Sequence, residues 1–319
     1  MQSIKNSYLY LLLRTARPRQ WMKNIAIYAS LVFSGMFFYT PANSLPYAII
    51  VTIAFVIFCF LTSSVYIIND IIDREADRNH PFKKKRPIAS GELPVWFAFS
   101  AAMLLLFFVF VASLYMPFFF RAMVAAYLIL QLLYVNWTKH IAIFDVVSIA
   151  SGFLIRIYAG ALVVNLHMSV WFLLTVISAS LFLAVGKRQS ERTLLEGTNA
   201  GETRKTLKRY SQRLLDQYTS MFANATWLTY ALFTFQNEFI RPDERFGTLY
   251  AFLPKTLHNQ KLLMLTVPFV IFGVMKYLQL IYEDNKGESP EVVLIRDKTL
   301  LLTVFMFGLS VFVVIYGLT

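Results

Sequence analysis

The sequence predicts an all-α, polytopic membrane protein with nine transmembrane helices. Hydrophobic residues make up 57% of the 319-residue chain and charged residues only 15%, which is too few charges to cover a water-facing surface. Apolar stretches of about 20 residues, each long enough for a helix to cross a ~30 Å hydrocarbon core, recur along the chain. Because these stretches are apolar on all sides, they do not match the alternating strands of a transmembrane barrel.

Hydropathy along the chain separates the apolar spans from short polar segments. No polar domain or low-complexity tract interrupts this pattern, so we expect residues 1–319 to form a single membrane-embedded domain. The predicted spans are 24–39, 46–68, 95–116, 119–137, 141–164, 168–186, 217–236, 262–282 and 299–318. The polar segments of interest are an interfacial N-terminal segment at 1–23 and two loops at 69–94 and 187–216.

The positive charge of the chain is distributed unevenly between the two sides of the predicted membrane domain. Most of the 30 lysines and arginines lie in the N-terminal segment and in the even-numbered loops. The positive-inside rule therefore places the N-terminus in the cytoplasm. Anionic membrane lipids are natural partners for such a face. A nucleic-acid partner is not expected, because no basic domain stands clear of the membrane. The odd-numbered loops carry only Arg121, Arg241, Arg245, Lys255 and Lys261.

The loop at 69–94 carries the clearest chemical pattern. If the preceding helix continues into this loop, Asn69, Asp73 and Asp77 fall at positions i, i+4 and i+8 on one helical face. Such a stack of oxygen ligands suits Mg²⁺, which proteins commonly hold with one or two carboxylates plus substrate phosphates. The pattern therefore predicts a metal site at this mouth of the membrane domain.

Neighbouring charges extend this hypothesis. Asp70 and Arg78 lie on a helical stripe beside the three ligands, and basic residues follow a few positions downstream. A solvated helix end with ordinary Asp–Arg pairs is the alternative interpretation. Carboxylates for a metal next to cations for phosphate oxygens instead favour a diphosphate site. The downstream cations are Lys83, Lys84, Lys85 and Arg86.

Charged residues inside or at the ends of later spans are further candidates. Arg156 lies within the fifth predicted span, and Asp145 lies 11 residues earlier, close to three helical turns away on the same side. We expect Arg156 to face a cavity or a partner and Asp145 to orient it; the alternative is an ion pair that only packs helices. Lys187 and Glu191 stand one turn apart after the sixth span, and Lys23 occupies a similar depth before the first. An ordinary positive-inside flank is the alternative for the segment from Gly186 to Glu191.

The pattern Asn69-Asp-x-x-Asp73-x-x-x-Asp77, after the second of nine predicted spans, resembles the first signature of the UbiA superfamily of intramembrane prenyltransferases. The similarity covers essentially the whole chain and implies a UbiA-like helical bundle. Finer features resemble the branch that uses phosphoribosyl diphosphate as donor and a polyprenyl phosphate as acceptor. These features are Arg17-Pro-Arg-Gln-Trp-Met-Lys-Asn24, Asp77-Arg-Asn-His-Pro-Phe-Lys83, Arg86-Pro-Ile-Ala, Gly152-Phe-Leu-Ile-Arg156 and Gly186-Lys-Arg-Gln-Ser-Glu191.

This resemblance implies a Mg²⁺-dependent phosphoribosyltransferase. The reaction would move a 5-phosphoribosyl group to a polyprenyl (decaprenyl-type) phosphate with inversion at C1, a precursor step for lipid-linked arabinose in cell-wall biosynthesis. Most of the superfamily carries a second aspartate motif after the sixth span, whereas this chain has Lys187-Arg188-Gln189-Ser190-Glu191. Two cations in that place favour a donor with an additional 5-phosphate.

Residue roles follow from the same resemblance. Asp73, Asp77 and Asn69 are expected to hold Mg²⁺, and Asp70 is expected to support them in catalysis. Lys187 and Arg188 would bind donor phosphates, and Arg156 would direct the lipid phosphate. The expected substrate-binding residues are Lys23, Arg78, Lys83, Arg86, Arg156, Lys187, Arg188 and Glu191.

Two other functions stay open at this stage. The first is a UbiA-type prenyltransferase that attaches an isoprenoid diphosphate to an aromatic or tetrapyrrole acceptor. The second is an anion transporter, which is less favoured because the charges crowd one mouth instead of lying near the middle of the membrane. We expect the protein in a bacterial cytoplasmic membrane with its active site facing the cytoplasm, and an oligomer of identical chains is compatible with the sequence.

Overall fold

The computed structural model describes residues 7–42, 44–79, 83–196, 210–236, 261–283, 293 and 296–317. All regular secondary structure among these residues is helical. The chain divides into two compact units. The first unit comprises Met1–Ala29, Thr40–Asn136 and Ile155–Asn165, and the second comprises Ser30–Tyr39, Trp137–Leu154 and Leu166–Thr319.

The helices follow the apolar stretches of the sequence. The α-helices are α1 (Tyr8–Ala16), α2 (Ala29–Phe33), α3 (Tyr47–Ile72), α4 (Arg74–Asn79), α5 (Pro87–Ser90), α6 (Val95–Leu114), α7 (Phe118–Asn136), α8 (Phe144–Val163), α9 (Val170–Glu196), α10 (Gln212–Gln236), α11 (Val267–Tyr282) and α12 (Lys298–Phe312). Short 3₁₀-helices occupy Pro18–Tyr28, Lys83–Lys85, Thr138–His140 and Leu262–Thr266, and a π-helical turn occupies Val313–Gly317.

Within the described residues, seven helical segments are long and apolar enough to cross a membrane, and each matches a predicted span. The chain is therefore an integral membrane protein. The seven segments are Tyr47–Ile72, Val95–Leu114, Phe118–Asn136, Phe144–Val163, Val170–Arg192, Leu262–Tyr282 and Lys298–Gly317.

The remaining two predicted spans are not among these seven segments. The predicted span 24–39 does not form one helix, because a 3₁₀-helix runs to Tyr28, a five-residue helix follows, and Gly35 turns the chain at φ +73°. The predicted span 217–236 lies within α10, which is long enough to cross a membrane. Its sequence is more polar than the sequences of the seven segments, since α10 includes Asp216 and Asn224.

Both predicted loops contain helical residues. Loop 69–94 contains the end of α3, the helices α4 and α5 and a 3₁₀ turn, while residues 80–82 lie outside the described part. In loop 187–216, α9 continues through Glu196 and α10 begins at Gln212, with 197–209 outside the described residues. Hydropathy ends a predicted span where polar residues begin, but the helix itself can continue beyond the bilayer.

The N-terminal segment packs against other helices of the first unit. Helix α1 and the short helix α5 share a buried cluster with α3 and α6, formed around Leu11, Ile67, Ile88 and Ala98. Ile67 of this cluster lies two residues before Asn69, so the cluster fixes the position of the end of α3. Residues 1–6 of the predicted interfacial segment lie outside the described residues.

In the first unit, α8 and the 3₁₀-helix Pro18–Tyr28 approach each other at Gly160. A Cβ atom added to Gly160 would lie 1.9 Å from the carbonyl oxygen of Ile27 and 2.8 Å from its carbonyl carbon. Backbone atoms cannot swing aside as a flexible side chain can. Only glycine therefore permits this contact between α8 and the N-terminal segment.

We expect Gly160→Ala to destabilise the protein by about 3 kcal/mol, the upper end for overpacking a buried site, because the methyl group must push two backbones apart. Thermal unfolding in detergent and the yield of monodisperse protein measure the effect. Gly308→Ala is the matched control, since no atom lies within 4 Å of its added Cβ and alanine is the better helix former. Equal stability of the two variants would contradict the assigned close contact.

The second unit is built around the pairing of α9 with α10. A buried cluster formed by Val146, Ala184, Val185, Tyr210 and Leu215 joins the beginning of α8, the polar end of α9 and the beginning of α10. Tyr210 precedes α10 and is the aromatic member of this cluster. The apolar packing thus brings together the chain segments that carry the charged residues of this unit.

Candidate active site

The Asn69 to Asp77 segment keeps the helical spacing that the sequence predicted. Helix α3 ends at Ile72, but the Asp73 N–H donates to the Asn69 carbonyl at 2.9 Å and the Asp77 N–H donates to the Asp73 carbonyl at 2.8 Å. Asn69 and Asp73 are half-buried and Asp77 is buried. The three side chains are therefore spaced one helical turn apart across the junction of α3 and α4.

Two buried carboxylates, Asp70 beside this face and Asp77 on it, are bound by arginines. Oδ1 of Asp70 lies 2.5 Å from Nη2 of Arg17 and 3.0 Å from Nη1 of Arg86. The same Nη1 of Arg86 lies 2.5 Å from Oδ2 of Asp77. Both carboxylates are only 3% exposed. Arg86 therefore ties the end of α3 to α4, a contact that the sequence analysis did not predict.

The other cations of this segment take different places. Arg78 is exposed and its Nε donates to the Ala89 carbonyl at 3.1 Å, so it contacts the backbone of α5. Lys83 is half-buried, while Lys84 and Lys85 are exposed. Of the predicted phosphate ligands here, Arg78 and Arg86 thus make contacts that hold the segment together.

Arg156 is buried in the first unit among polar side chains. Its Nε donates to Oδ1 of Asn24 at 2.7 Å and its Nη2 donates to the Tyr127 hydroxyl at 2.9 Å. The guanidinium also lies over the Tyr127 ring, 4.8 Å from its centroid. Asn24 in turn donates to Oγ1 of Thr62 at 3.3 Å. Lys23 precedes Asn24 and is half-buried.

Sequence reasoning missed Asn24 and Tyr127 as partners of Arg156. The available signal was an amide at the start of one predicted span and a tyrosine within another, but 132 and 29 residues separate them from Arg156. Only the fold brings such distant positions together.

Asp145 belongs to a buried network in the second unit. Its Oδ2 lies 3.2 Å from Nε of Arg188, and its Oδ1 accepts a hydrogen bond from the Tyr210 hydroxyl at 2.7 Å. Nη1 of Arg188 lies 2.5 Å from Oε2 of Glu191. Burial and the hydrogen bond to Asp145 raise the pKa of Tyr210, so its hydroxyl stays protonated at neutral pH and remains a donor.

The expected orientation of Arg156 by Asp145 is wrong. Eleven residues correspond to about 16 Å along a helix, which exceeds the combined reach of the two side chains. Asp145 instead contacts Arg188 and Tyr210, and Arg156 contacts Asn24 and Tyr127. The two charges belong to separate networks.

The segment from Lys187 to Glu191 lies on α9. Lys187 is half-buried, whereas Arg188 and Gln189 are buried. Nε2 of Gln189 donates to Oδ1 of Asp216 at 3.5 Å, an atom that also accepts from the Tyr282 hydroxyl at 2.8 Å. Within this segment, the structure therefore buries the predicted donor ligand Arg188 between two carboxylates and leaves Lys187 more accessible.

The side-chain oxygens of Asn69, Asp73 and Asp77 in the first unit can supply only some of the ligands that a metal ion needs. Among the described residues, no three His, Cys, Asp or Glu side chains converge as a protein-only metal cage would need. Two carboxylates and one amide on a helical face fit Mg²⁺, which keeps positions for water and substrate phosphates. The donor set thus matches the predicted metal when a phosphorylated substrate completes its coordination.

The sequence profile of the UbiA prenyltransferase family matches residues 28–294. The chain belongs to this family. This UbiA protein is 36% identical to decaprenyl-phosphate phosphoribosyltransferase from Mycolicibacterium smegmatis, over 91% of the chain and 87% of the relative. It is 32% identical to the protein of the same name from Corynebacterium glutamicum, over 96% of the chain and 86% of the relative.

Solved structures confirm the UbiA-like helical fold. A UbiA homolog from Archaeoglobus fulgidus bound to GPP and Mg²⁺ matches with a TM-score of 0.67, covering 96% of this chain and 99% of the homolog at 18% identity. A digeranylgeranylglyceryl phosphate synthase matches with a TM-score of 0.60 at 16% identity, covering 98% and 99% of the two chains.

Proposed function

We propose that this UbiA protein transfers a 5-phosphoribosyl group from phosphoribosyl diphosphate to a polyprenyl (decaprenyl-type) phosphate. The observation that carries the proposal is its 32–36% identity, over most of the chain, to relatives named decaprenyl-phosphate phosphoribosyltransferase. The half-buried cation Lys187 supports it, because a donor with a 5-phosphate needs more positive charge than a prenyl diphosphate. The product would be a precursor of lipid-linked arabinose.

We assign Mg²⁺ to Asp73, Asp77 and Asn69. Arg86 binds Oδ2 of Asp77, so Oδ1 is the oxygen that we assign to the metal. Bound Mg²⁺ would stabilise the negative charge that develops on the diphosphate. Asp70 does not need to bind the metal in this arrangement, because its contacts with Arg17 and Arg86 hold the segment in place.

The reaction replaces one C1–O bond with another. The bond from ribose C1 to the diphosphate breaks and its electron pair leaves with the diphosphate, which gives C1 oxocarbenium character. A lone pair of the acceptor phosphate then forms the new bond on the opposite face, so the anomeric centre inverts. The acceptor phosphate is already an anion, and therefore no strong general base is required.

The substrate contacts divide among the remaining cations. We assign donor phosphates to Lys187, Lys23 and Lys83, which are half-buried. Arg156 is assigned to the acceptor phosphate, because a buried guanidinium within a span can be reached by a lipid-borne anion. Arg188 and Glu191 bind each other and are assigned to positioning instead of substrate contact. We place this active site on the cytoplasmic face of a bacterial cytoplasmic membrane.

The function is tested with purified protein, Mg²⁺, decaprenyl phosphate and phosphoribosyl diphosphate labelled with ¹⁴C in ribose and ³²P in the β-phosphate. We expect ¹⁴C to enter the organic phase only when the acceptor is present, while ³²P stays in water. Adding EDTA should stop the transfer. Geranyl diphosphate with an aromatic acceptor tests the second candidate, which the GPP-bound fold relative suggests. Transfer from geranyl diphosphate alone would overturn the proposed donor.

A further inference from the structure

Tyr210 is a buried tyrosine that the sequence analysis did not single out. It is 2% exposed, and its hydroxyl makes two short contacts. The hydroxyl donates to Oδ1 of Asp145 at 2.7 Å and accepts from the Ile143 N–H at 2.5 Å. Nη1 of Arg192 donates to the Tyr210 carbonyl. Tyr210, which lies two residues before the start of α10, thus contacts both the turn before α8 and the end of α9.

The contact with Ile143 supports a backbone conformation that its side chain disfavours. Ile143 has φ +72°, and a β-branched residue in this left-handed region is a genuine outlier whose backbone is strained. The turn at Ile143 precedes α8 and sets the direction of the following residues, including Asp145. Strain of this kind persists only where neighbouring contacts hold it, and the Tyr210 hydroxyl supplies one.

Asp145 connects Tyr210 to α9 through its two carboxylate oxygens. One carboxylate oxygen binds Tyr210 and the other binds Arg188, which also binds Glu191. Asp145 and Arg188 are each 1% exposed, so solvent does not weaken their pairing as it would at a surface. Lys187 is covalently next to Arg188 and is the more accessible of the two. A rotation of α9 that broke the pairing of Arg188 would therefore also move Lys187.

We propose that Tyr210 is a positioning residue that, through Asp145 and Arg188, orients Lys187 toward a phosphate group of the donor. This role rests on the proposed function, which assigns Lys187 to the donor. Tyr210 itself is buried and protonated, so it acts through the network and not by touching the substrate. Phenylalanine would fill the same space but would leave the Asp145 carboxylate and the Ile143 N–H without this hydroxyl.

Calorimetry on the full chain with Mg²⁺ and phosphoribosyl diphosphate tests the proposal. We expect Tyr210→Phe to weaken donor binding about tenfold while decaprenyl phosphate binding stays unchanged. Tyr230→Phe is the matched control, because it also removes a buried phenol of the second unit, one that contacts Oγ1 of Thr266 at 2.6 Å and not the Asp145 network. A purely structural tyrosine predicts lower melting temperatures for both variants and unchanged donor affinity for both, and this result would overturn the positioning role.

A double variant tests whether the effect passes through Lys187. Lys187→Ala combined with Tyr210→Phe should bind the donor no more weakly than Lys187→Ala alone, because the two changes disable the same contact. Additive losses would overturn the proposed route. If Tyr210→Phe does not fold, Ile143→Gly in the same chain should restore folding, since glycine adopts positive φ without strain, and donor binding should still be about tenfold weaker. Full recovery of binding in that chain would also overturn the role.

A titration with geranyl diphosphate separates this proposal from the function on which it rests. If wild-type protein binds geranyl diphosphate but not phosphoribosyl diphosphate, the proposed function fails. Tyr210→Phe should then weaken geranyl diphosphate binding, because Lys187 would contact that diphosphate. Unchanged affinity for whichever diphosphate the wild type binds, or no binding of either by the wild type, overturns the positioning role.

Discussion

Asp73→Asn should abolish phosphoribosyl transfer while leaving the fold intact. Asp73 is half-buried at the junction of α3 and α4, one helical turn from both Asn69 and Asp77. The amide keeps the size of the side chain but removes the negative charge assigned to Mg²⁺. Loss of several kcal/mol of transition-state stabilisation corresponds to a fall in kcat of about 10³-fold or more. The labelled-lipid assay measures this fall.

Two neighbouring carboxylates sharpen the experiment. Glu75→Gln on the adjacent helix α4 is the control, because Glu75 is exposed and should leave activity and stability unchanged. Asp77→Asn should also abolish turnover, but it should lower the melting temperature as well, since the buried carboxylate pairs with Arg86. Near-normal activity of Asp73→Asn over a range of Mg²⁺ concentrations would contradict the assigned metal site.

The membrane-spanning helices were predictable because apolar length is a local property of the sequence. Seven predicted spans coincide with apolar helices for this reason. The segment 24–39 was not predictable in the same way, since its average hydropathy conceals a 3₁₀-helix and the turn at Gly35. The polarity of α10 illustrates the converse case, in which a long helix forms despite residues such as Asp216.

The same distinction between local and long-range properties of the sequence applies to the candidate site. The one-turn spacing of Asn69, Asp73 and Asp77 follows from helical periodicity and was predicted. The ion pair of Arg17 with Asp70 joins residues 53 apart in sequence, and periodicity says nothing about such pairs. The error on Asp145 has the same origin: a shared helical face was taken as a shared environment, although three turns exceed the reach of side chains.

Buried arginines in this protein have two distinct surroundings, and the difference supports their separate assignments. Arg188 binds two carboxylates, so its charge is offset within the protein. Arg156 contacts the carbonyl oxygen of an amide, a phenol and an aromatic ring face, which together fix the orientation of its guanidinium. An oriented cation within a span is the better candidate for an anionic lipid headgroup.

Arg156→Leu should therefore impair the use of polyprenyl phosphate more than the binding of the sugar donor. Loss of a charge-assisted contact worth about 1.5–3 kcal/mol corresponds to a rise of roughly 10- to 150-fold in the acceptor KM. The substitution also leaves Oδ1 of Asn24 and the Tyr127 hydroxyl without the guanidinium, so a lower melting temperature is expected in addition. Steady-state kinetics with decaprenyl phosphate and calorimetry with phosphoribosyl diphosphate measure the two effects separately.

Tyr127→Phe distinguishes an acceptor contact from a helix-packing role for Arg156. This variant removes one hydrogen bond to the guanidinium but keeps the ring face and the charge. If Arg156 binds the lipid phosphate, Tyr127→Phe should raise the acceptor KM far less than Arg156→Leu, even where the two variants lose similar stability. Equal stability losses with an unchanged acceptor KM in both would assign Arg156 to packing. Loss of donor binding in Arg156→Leu, with lipid phosphate affinity intact, would instead move Arg156 to the donor site, because the charge would then serve the soluble substrate.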